Sequence, residues 1–168
     1  FLVEYLKNKG AEVVIGDSPG GLYNKAHLDN IYKVTKMTET GAKLNYNFSI
    51  KNASNNEAMF LKNFDYTSYI DDFDFKINFC KLKTHAMMKM SASVKNLYGT
   101  IPGLTKSEYH YRFPNHDDFA NMLIDINEYF KFDLNIVDAV IGMDGNGPTM
   151  GNPKKIGAII ASINPYAL

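Results

Sequence analysis

Between Lys81 and Arg112 the chain reads KLKTHAMMKMSASVKNLYGTIPGLTKSEYHYR, and this is where residue types that do chemistry gather. Two of the four histidines, the only arginine and five lysines fall in these 32 residues, with Glu108 as the single acid. The segment therefore carries +5 in a chain whose formal net charge is zero. Cationic side chains gathered beside Gly, Ser, Thr and Asn are suited to an anionic ligand. A solvated lysine patch is the competing reading.

Within the segment, alternation along a strand end sends Lys81, Lys83 and His85 to one side, where they suit a phosphate or carboxylate. Neighbouring ammonium groups would lower the pKa of His85 and favour its neutral, base-competent form. Downstream, Ser93, Lys95 and Asn96 sit at the start of a short helix whose N–H groups would add donors. Lys95 lies among Val94, Leu97 and Tyr98, a setting whose desolvation makes an amine nucleophilic. The alternative is a lysine with a packed stem and a wet head. His110 and Arg112 complete the basic set.

Two other loops offer small residues and an acid. In Asp17-Ser18-Pro19-Gly20-Gly21, Asp17 would serve as base or ligand, while Ser18 and Gly20 would let a ligand approach the backbone; a tight turn capped by Asp17 and Ser18 is equally consistent. The loop Gly142 to Lys155 holds four glycines, and Asp144 and Asn146 offer oxygen to a hard cation such as Mg²⁺, or only shape a connector. His85, His110 and His116 match no zinc spacing, and no GxSxG element supports serine hydrolysis.

These side chains are carried by an alternation of helices and strands. Helical spacing runs from Phe1 to Lys9, from Lys25 to Met37, from Ala92 to Tyr98 and from Asp117 to Phe130, where Phe119, Leu123, Ile126 and Phe130 share a face. Val13 to Ile15, Ile77 to Leu82, Leu134 to Ile141 and Ile156 to Ile163 read as buried strands. Ala42 to Phe64 reads as two strands joined through Asn52 to Asn56. The pattern predicts an α/β domain with a largely parallel or mixed sheet and helices on both faces. In such sheets ligands bind beyond the carboxyl ends of the strands, so the three loops are expected at one edge.

Composition excludes several classes. A chain of 168 residues, 45% hydrophobic, is expected to form a single domain, and its ends read as those of a piece of a longer protein. A pI near 7 argues against a general nucleic-acid binder. The lone Cys80 lies in an apolar run, expected as a buried thiol, and excludes an iron–sulfur cluster within this chain. No apolar stretch reaches the roughly 18 residues of a membrane span, and a cytoplasmic location is the default.

The motifs IGDSPGG, KLKTH, SxSxKNLYGTIPG and GMDGNGPTMGNP, in that order, resemble the domain-of-unknown-function family 362 over nearly the whole chain. The resemblance implies a bacterial or archaeal cytoplasmic protein. It also implies a partner module, a ferredoxin-like domain with [4Fe–4S] clusters, lying outside this chain. A more distant likeness is to the N-terminal domain of nickel-dependent lactate racemase, carried by His85, Ser93, Lys95, Pro102-Gly103 and His110 in order. That likeness implies Lys95 anchoring a metal-bearing cofactor, His110 as ligand and His85 transferring a proton. The leading expectation is a basic cleft for a small anionic ligand or cofactor of unknown identity. A racemase or isomerase of hydroxy acids and a protein-interaction scaffold are the alternatives.

Overall fold

A computed structural model describes residues 1–168. Helix α1 (Leu2–Asn8) precedes strand β1 (Val14–Ile15), and α2 (Lys25–Val34) follows the first loop. The Asn24 side chain caps α2 by accepting from the His27 N–H at 3.0 Å. Strand β2 (Lys43–Leu44) pairs in parallel with β1, Val14 against Lys43. Next, β3 (Ile50–Ser54) and β4 (Asn63–Thr67) form a separate antiparallel pair, Ile50 against Thr67. The first strand expected over 42–64 is thus split into β2 and β3 in different sheets, the expected turn at Asn52 to Asn56 falls partly within β3, and β4 begins only at Asn63 and pairs with β3. Their connection runs from Asn55 to Lys62 rather than through a short turn.

The largest sheet has the order β6-β5-β7-β8 and is mixed. Strands β5 (Ile77–His85) and β7 (Leu134–Asn146) are parallel; β6 (Lys89–Ser91) and β8 (Met150–Ser162) flank them antiparallel. The crossover from β5 to β7 carries α3 (Ser93–Asn96), a 3-10 turn over Leu97–Thr100, α4 (Thr105–Arg112) and α5 (His116–Phe130). The architecture is α/β, as the alternation predicts.

Helix α5 organises the core because its apolar residues recur at helical spacing. Phe119, Met122, Leu123 and Ile126 are buried against Ala53, Phe64 and Tyr66 of the β3–β4 pair and against Tyr98 and Ile101 of the crossover. One acid of this helix is buried. Asp125 is 6% exposed, and its carboxylate accepts from the backbone N–H groups of Met59, Phe60 and Leu61 at 3.0, 2.7 and 2.8 Å. It thereby holds the β3–β4 connection against the helix. Asp125→Ala orphans three donors at once, and unfolding stability is expected to fall by about 3–5 kcal/mol. A urea midpoint within error of wild type would refute that assignment.

The hairpin of β7 and β8 replaces the expected glycine-rich loop at Gly142 to Lys155. Both strands continue through it, paired from Asn135 against Ser162 to Asn146 against Met150. Gly145 adopts a positive φ of 81°, whereas Gly142, Gly147 and Gly151 allow close approach. A Cβ on Gly147 would run into the carbonyl oxygen of Thr84 and come within 2.7 Å of its hydroxyl. The hairpin tip therefore rests on the end of β5, where the Ala86 N–H donates to the Gly147 carbonyl at 3.2 Å.

Candidate functional site

Two loops dock face to face at the end of β5. The first, Gly16 to Gly21, leaves β1; the second, Ile101 to Lys106, leaves the 3-10 turn and enters α4. Gly103 lies so close to the first loop that a Cβ would strike the Gly21 carbonyl oxygen and approach that of Pro19 to 2.8 Å. Lys106 ties the pair together: its ammonium donates to the carbonyls of Ser18 and Ile101 and lies 3.4 Å from the Ser18 hydroxyl. Burial drives the Lys106 pKa down to about 8; nearby Asp17 opposes that shift and Lys95 adds to it. Burial raises the Asp17 pKa, while Lys106 and Lys83 pull it back.

Tyr98 is the floor shared by two cations. It is 4% exposed, its hydroxyl donates to the Lys106 carbonyl at 2.7 Å, and the Lys95 and Lys106 ammonium groups lie 5.5 and 5.9 Å from its ring centroid. Its edge meets the His110 ring at a centroid distance of 5.7 Å. His110 stacks on Phe119, 4.5 Å between centroids and 12° from parallel. Burial and then Lys95 lower the pKa of His110.

His85 belongs to the same group. Burial lowers its pKa to about 4, with Lys95 and then His110 adding to the effect. Its Nδ1 accepts from the Met88 N–H at 3.1 Å. A neutral imidazole accepting at Nδ1 carries its proton on Nε2, so His85 offers a ligand a neutral N–H donor. Its pKa in the fold lies below the ordinary 6.5. As pH falls through about 6.5 the unfolded chain takes up this proton first, so stability is lost between there and about 4. An NMR titration should place the His85 midpoint near 4; a midpoint near 6.5 would refute the buried environment.

Asp17, Ser18, Lys83, His85, Lys95 and His110 are thus brought to one neighbourhood from four separate segments. The other expected site residues have different employment. Lys81 forms an ion pair with Asp138 at 2.6 Å, and a register shift between Lys81 and Lys83 breaks the alternation that was to align them. Ser93 is 1% exposed; its hydroxyl donates to Asn135 at 2.8 Å and accepts from Asn78 at 2.9 Å. The Asn96 amide donates to the Asn78 side chain at 2.8 Å, so both residues join the sheet to α3. Arg112 ends α4 with its guanidinium 5.1 Å from the Phe113 ring centroid. Asp144 pairs with Lys154 at 2.7 Å across the hairpin, and Asn146 stands opposite Met150 at its end. Gly20 faces open space.

Lys106 and Tyr98 are what the sequence reading missed. Lys106 is three residues beyond Pro102-Gly103 and looked like one more loop lysine; only the docking of the two loops makes it a clamp. No three His, Cys, Asp or Glu side chains are grouped so as to hold a metal ion, so the donor set does not fit a protein-built metal site. Cys80 is buried against β7 and donates weakly to the Ile136 carbonyl at 3.6 Å.

An α/β fold in which two loops meet near the end of a strand, with several cationic side chains close by, is the class of protein these features define. The family model described as domain of unknown function (DUF362) matches residues 1–168, and the chain belongs to that family. It is similar to the "Thylakoid-associated protein sll1697" of Synechocystis sp., 38% identical over 98 residues. That match covers 58% of this chain and 30% of the relative, so the chain corresponds to less than two thirds of that protein. No solved structure matches it. No helix is long and apolar enough to cross a membrane.

Proposed function

We propose that this domain binds a small anionic ligand in the cleft formed by Lys83, His85, Lys95 and His110, with Ser18, Asp17 and Lys106 at its wall. The observation that carries the reading is the state of Lys95. Its ammonium is half-buried near an aromatic ring, and the ion pairs of the chain leave it without a carboxylate partner. A desolvated cation without a counter-charge is costly, and a bound anion relieves that cost. The neutral His85 and His110 add polar groups without further positive charge.

Calorimetric titration of wild type and Lys95→Ala with phosphate, pyruvate and lactate tests the reading. Wild type is expected to bind at least one of the three, with affinity lost in the variant. Identical isotherms for the two proteins would sink it. In the whole protein we place this domain beside an iron–sulfur redox module outside the present chain, in the cytoplasm.

A second reading, an isomerase or racemase of hydroxy acids, is favoured by one observation. Two histidines kept neutral near a lysine are suited to moving protons. In that reading His85, whose Nδ1 accepts from the Met88 N–H, would donate from Nε2, and His110 would accept. That reading requires turnover to depend on both rings.

A further inference from the structure

We propose that a second cleft, at the C-terminal end of α5, binds a free α-amino acid with an aliphatic side chain, its ammonium on Glu128 and its carboxylate on Lys131. This goes beyond the anionic cleft and does not depend on it.

The cavity has a volume of about 310 Å³, at the small end of the range for ligand pockets. It lies between the last turn of α5, the 3-10 turn after α3 and the residues that follow β8. Asn135 on its wall pairs with Asn78 near the amino ends of β7 and β5. The cavity is therefore at the opposite end of β5 from His85.

Buried side chains fix its floor. Asn135 is 1% exposed; its Oδ1 accepts from the Asn78 amide and the Ser93 hydroxyl, and its Nδ2 donates to the Ser162 and Ile163 carbonyls at 3.3 and 3.4 Å. Asn127, 3% exposed, donates from Nδ2 to the carbonyls of Val94 and Leu123, both at 2.8 Å. Its Oδ1 is buried without a donor. An acceptor left in that state is a cost that a ligand N–H reaching it relieves.

The rim carries both signs of charge. Glu128 and Lys131 line the cavity three residues apart, a spacing that makes helix neighbours, yet neither joins an ion pair of the chain. The Tyr166 hydroxyl donates to Glu128 Oε1 at 2.7 Å and orients the carboxylate, while Oε2 has no donor. Burial and then that hydrogen bond raise the Tyr166 pKa, so the hydroxyl stays a donor.

These surroundings select the ligand. A simple anion would meet the Glu128 carboxylate, and a simple cation would meet the Lys131 ammonium. A ligand with an ammonium and a carboxylate a few bonds apart gives each a partner. Leu97 beneath, with Phe132, Ile163 and Pro165 at the side, offers apolar surface to an aliphatic side chain.

The test is calorimetric titration with three probes of one carbon skeleton: L-leucine, leucinamide, which lacks the carboxylate, and N-acetylleucine, which lacks the ammonium. Leucine is expected to bind, and each analogue to bind about tenfold or more weakly, because each loses one charge-assisted contact. Glu128→Gln and Lys131→Gln should each lower leucine affinity about tenfold. Both side chains are exposed, so the melting temperature of each variant should match wild type. Lys95→Ala should leave leucine affinity unchanged, and the side-chain amide NMR signals of Asn127 and Asn135 should shift as leucine is added.

No binding of leucine would overturn the proposal and leave the anionic cleft untouched. Equal binding of leucine and both analogues would also overturn it, since the two charges would then play no part. Leucine affinity lost in Lys95→Ala but kept in both rim variants would place the ligand at the end of β5 and refute this site.

Discussion

Lys95→Ala is expected to weaken anion binding about ten- to hundredfold while leaving the thermal midpoint unchanged or higher. A charge-assisted contact contributes about 1.5–3 kcal/mol, which sets that range. The stability half of the result follows from what Lys95 lacks. Most half-buried charged side chains lose a partner when truncated; Lys95 has no hydrogen bond or ion pair to lose, only its place over Tyr98. Removing it also removes a positive neighbour from both histidines, whose pKa values it helps to hold down. The His85 and His110 NMR midpoints should therefore move upward together in the variant. Unaltered histidine titrations combined with unaltered anion affinity would show that Lys95 is a solvated surface cation.

Lys106→Ala is expected to do the opposite, and its effect on stability should be the larger. The ammonium joins Ser18 of the first loop to Ile101 of the second and lies near the buried carboxyl of Asp17. Its loss leaves two carbonyls without a donor and Asp17 without its nearest compensating charge. The expected cost is about 2–4 kcal/mol, or roughly 4–16 °C in melting temperature for a domain of this size. Lys106→Met, which retains most of the stem over Tyr98, should recover the packing share of the loss but not the polar share. If Lys106→Ala melts within about 1 °C of wild type, the clamp is not what holds the loops together. On the proposed function the two variants separate the two lysines, Lys95→Ala changing anion affinity and Lys106→Ala changing stability.

Much of the fold is legible along the chain for a simple reason. Helix α5 shows its apolar face at i, i+4, i+7 because that face meets a single continuous core. Strands β5 and β7 begin as apolar runs because both are interior to the sheet. Where an element's environment comes from elsewhere, its local pattern misleads. The glycines after Ile141 resemble a loop, yet Gly142, Gly145 and Gly151 sit in paired strands, and only Gly147, in the turn, lies against Thr84. Lys81 and Lys83 alternate in sequence, but a register shift opposite β7 separates their roles. Helix α4 has no clear sequence signal because its residues, Thr105–Arg112, are polar on most sides and only Tyr109 is buried.

The same division holds for the site. Sequence alone determined that the positive charge is concentrated between Lys81 and Arg112, that a small-residue loop carries Asp17, and that Lys95 lies among apolar neighbours. It also determined membership of a family by the order of its motifs. Tertiary structure decided which of those residues meet: Asp17, Lys83, His85, Lys95 and His110 remain, while Ser93, Asn96 and Lys81 are taken up by partners. It also decided that Lys106 is a clamp and Tyr98 a floor. Charge, size and polarity are properties of single residues and can be read in order. Burial, tautomer and the absence of a counter-charge depend on what the folded chain places alongside, and those determine whether a lysine binds, braces or reacts.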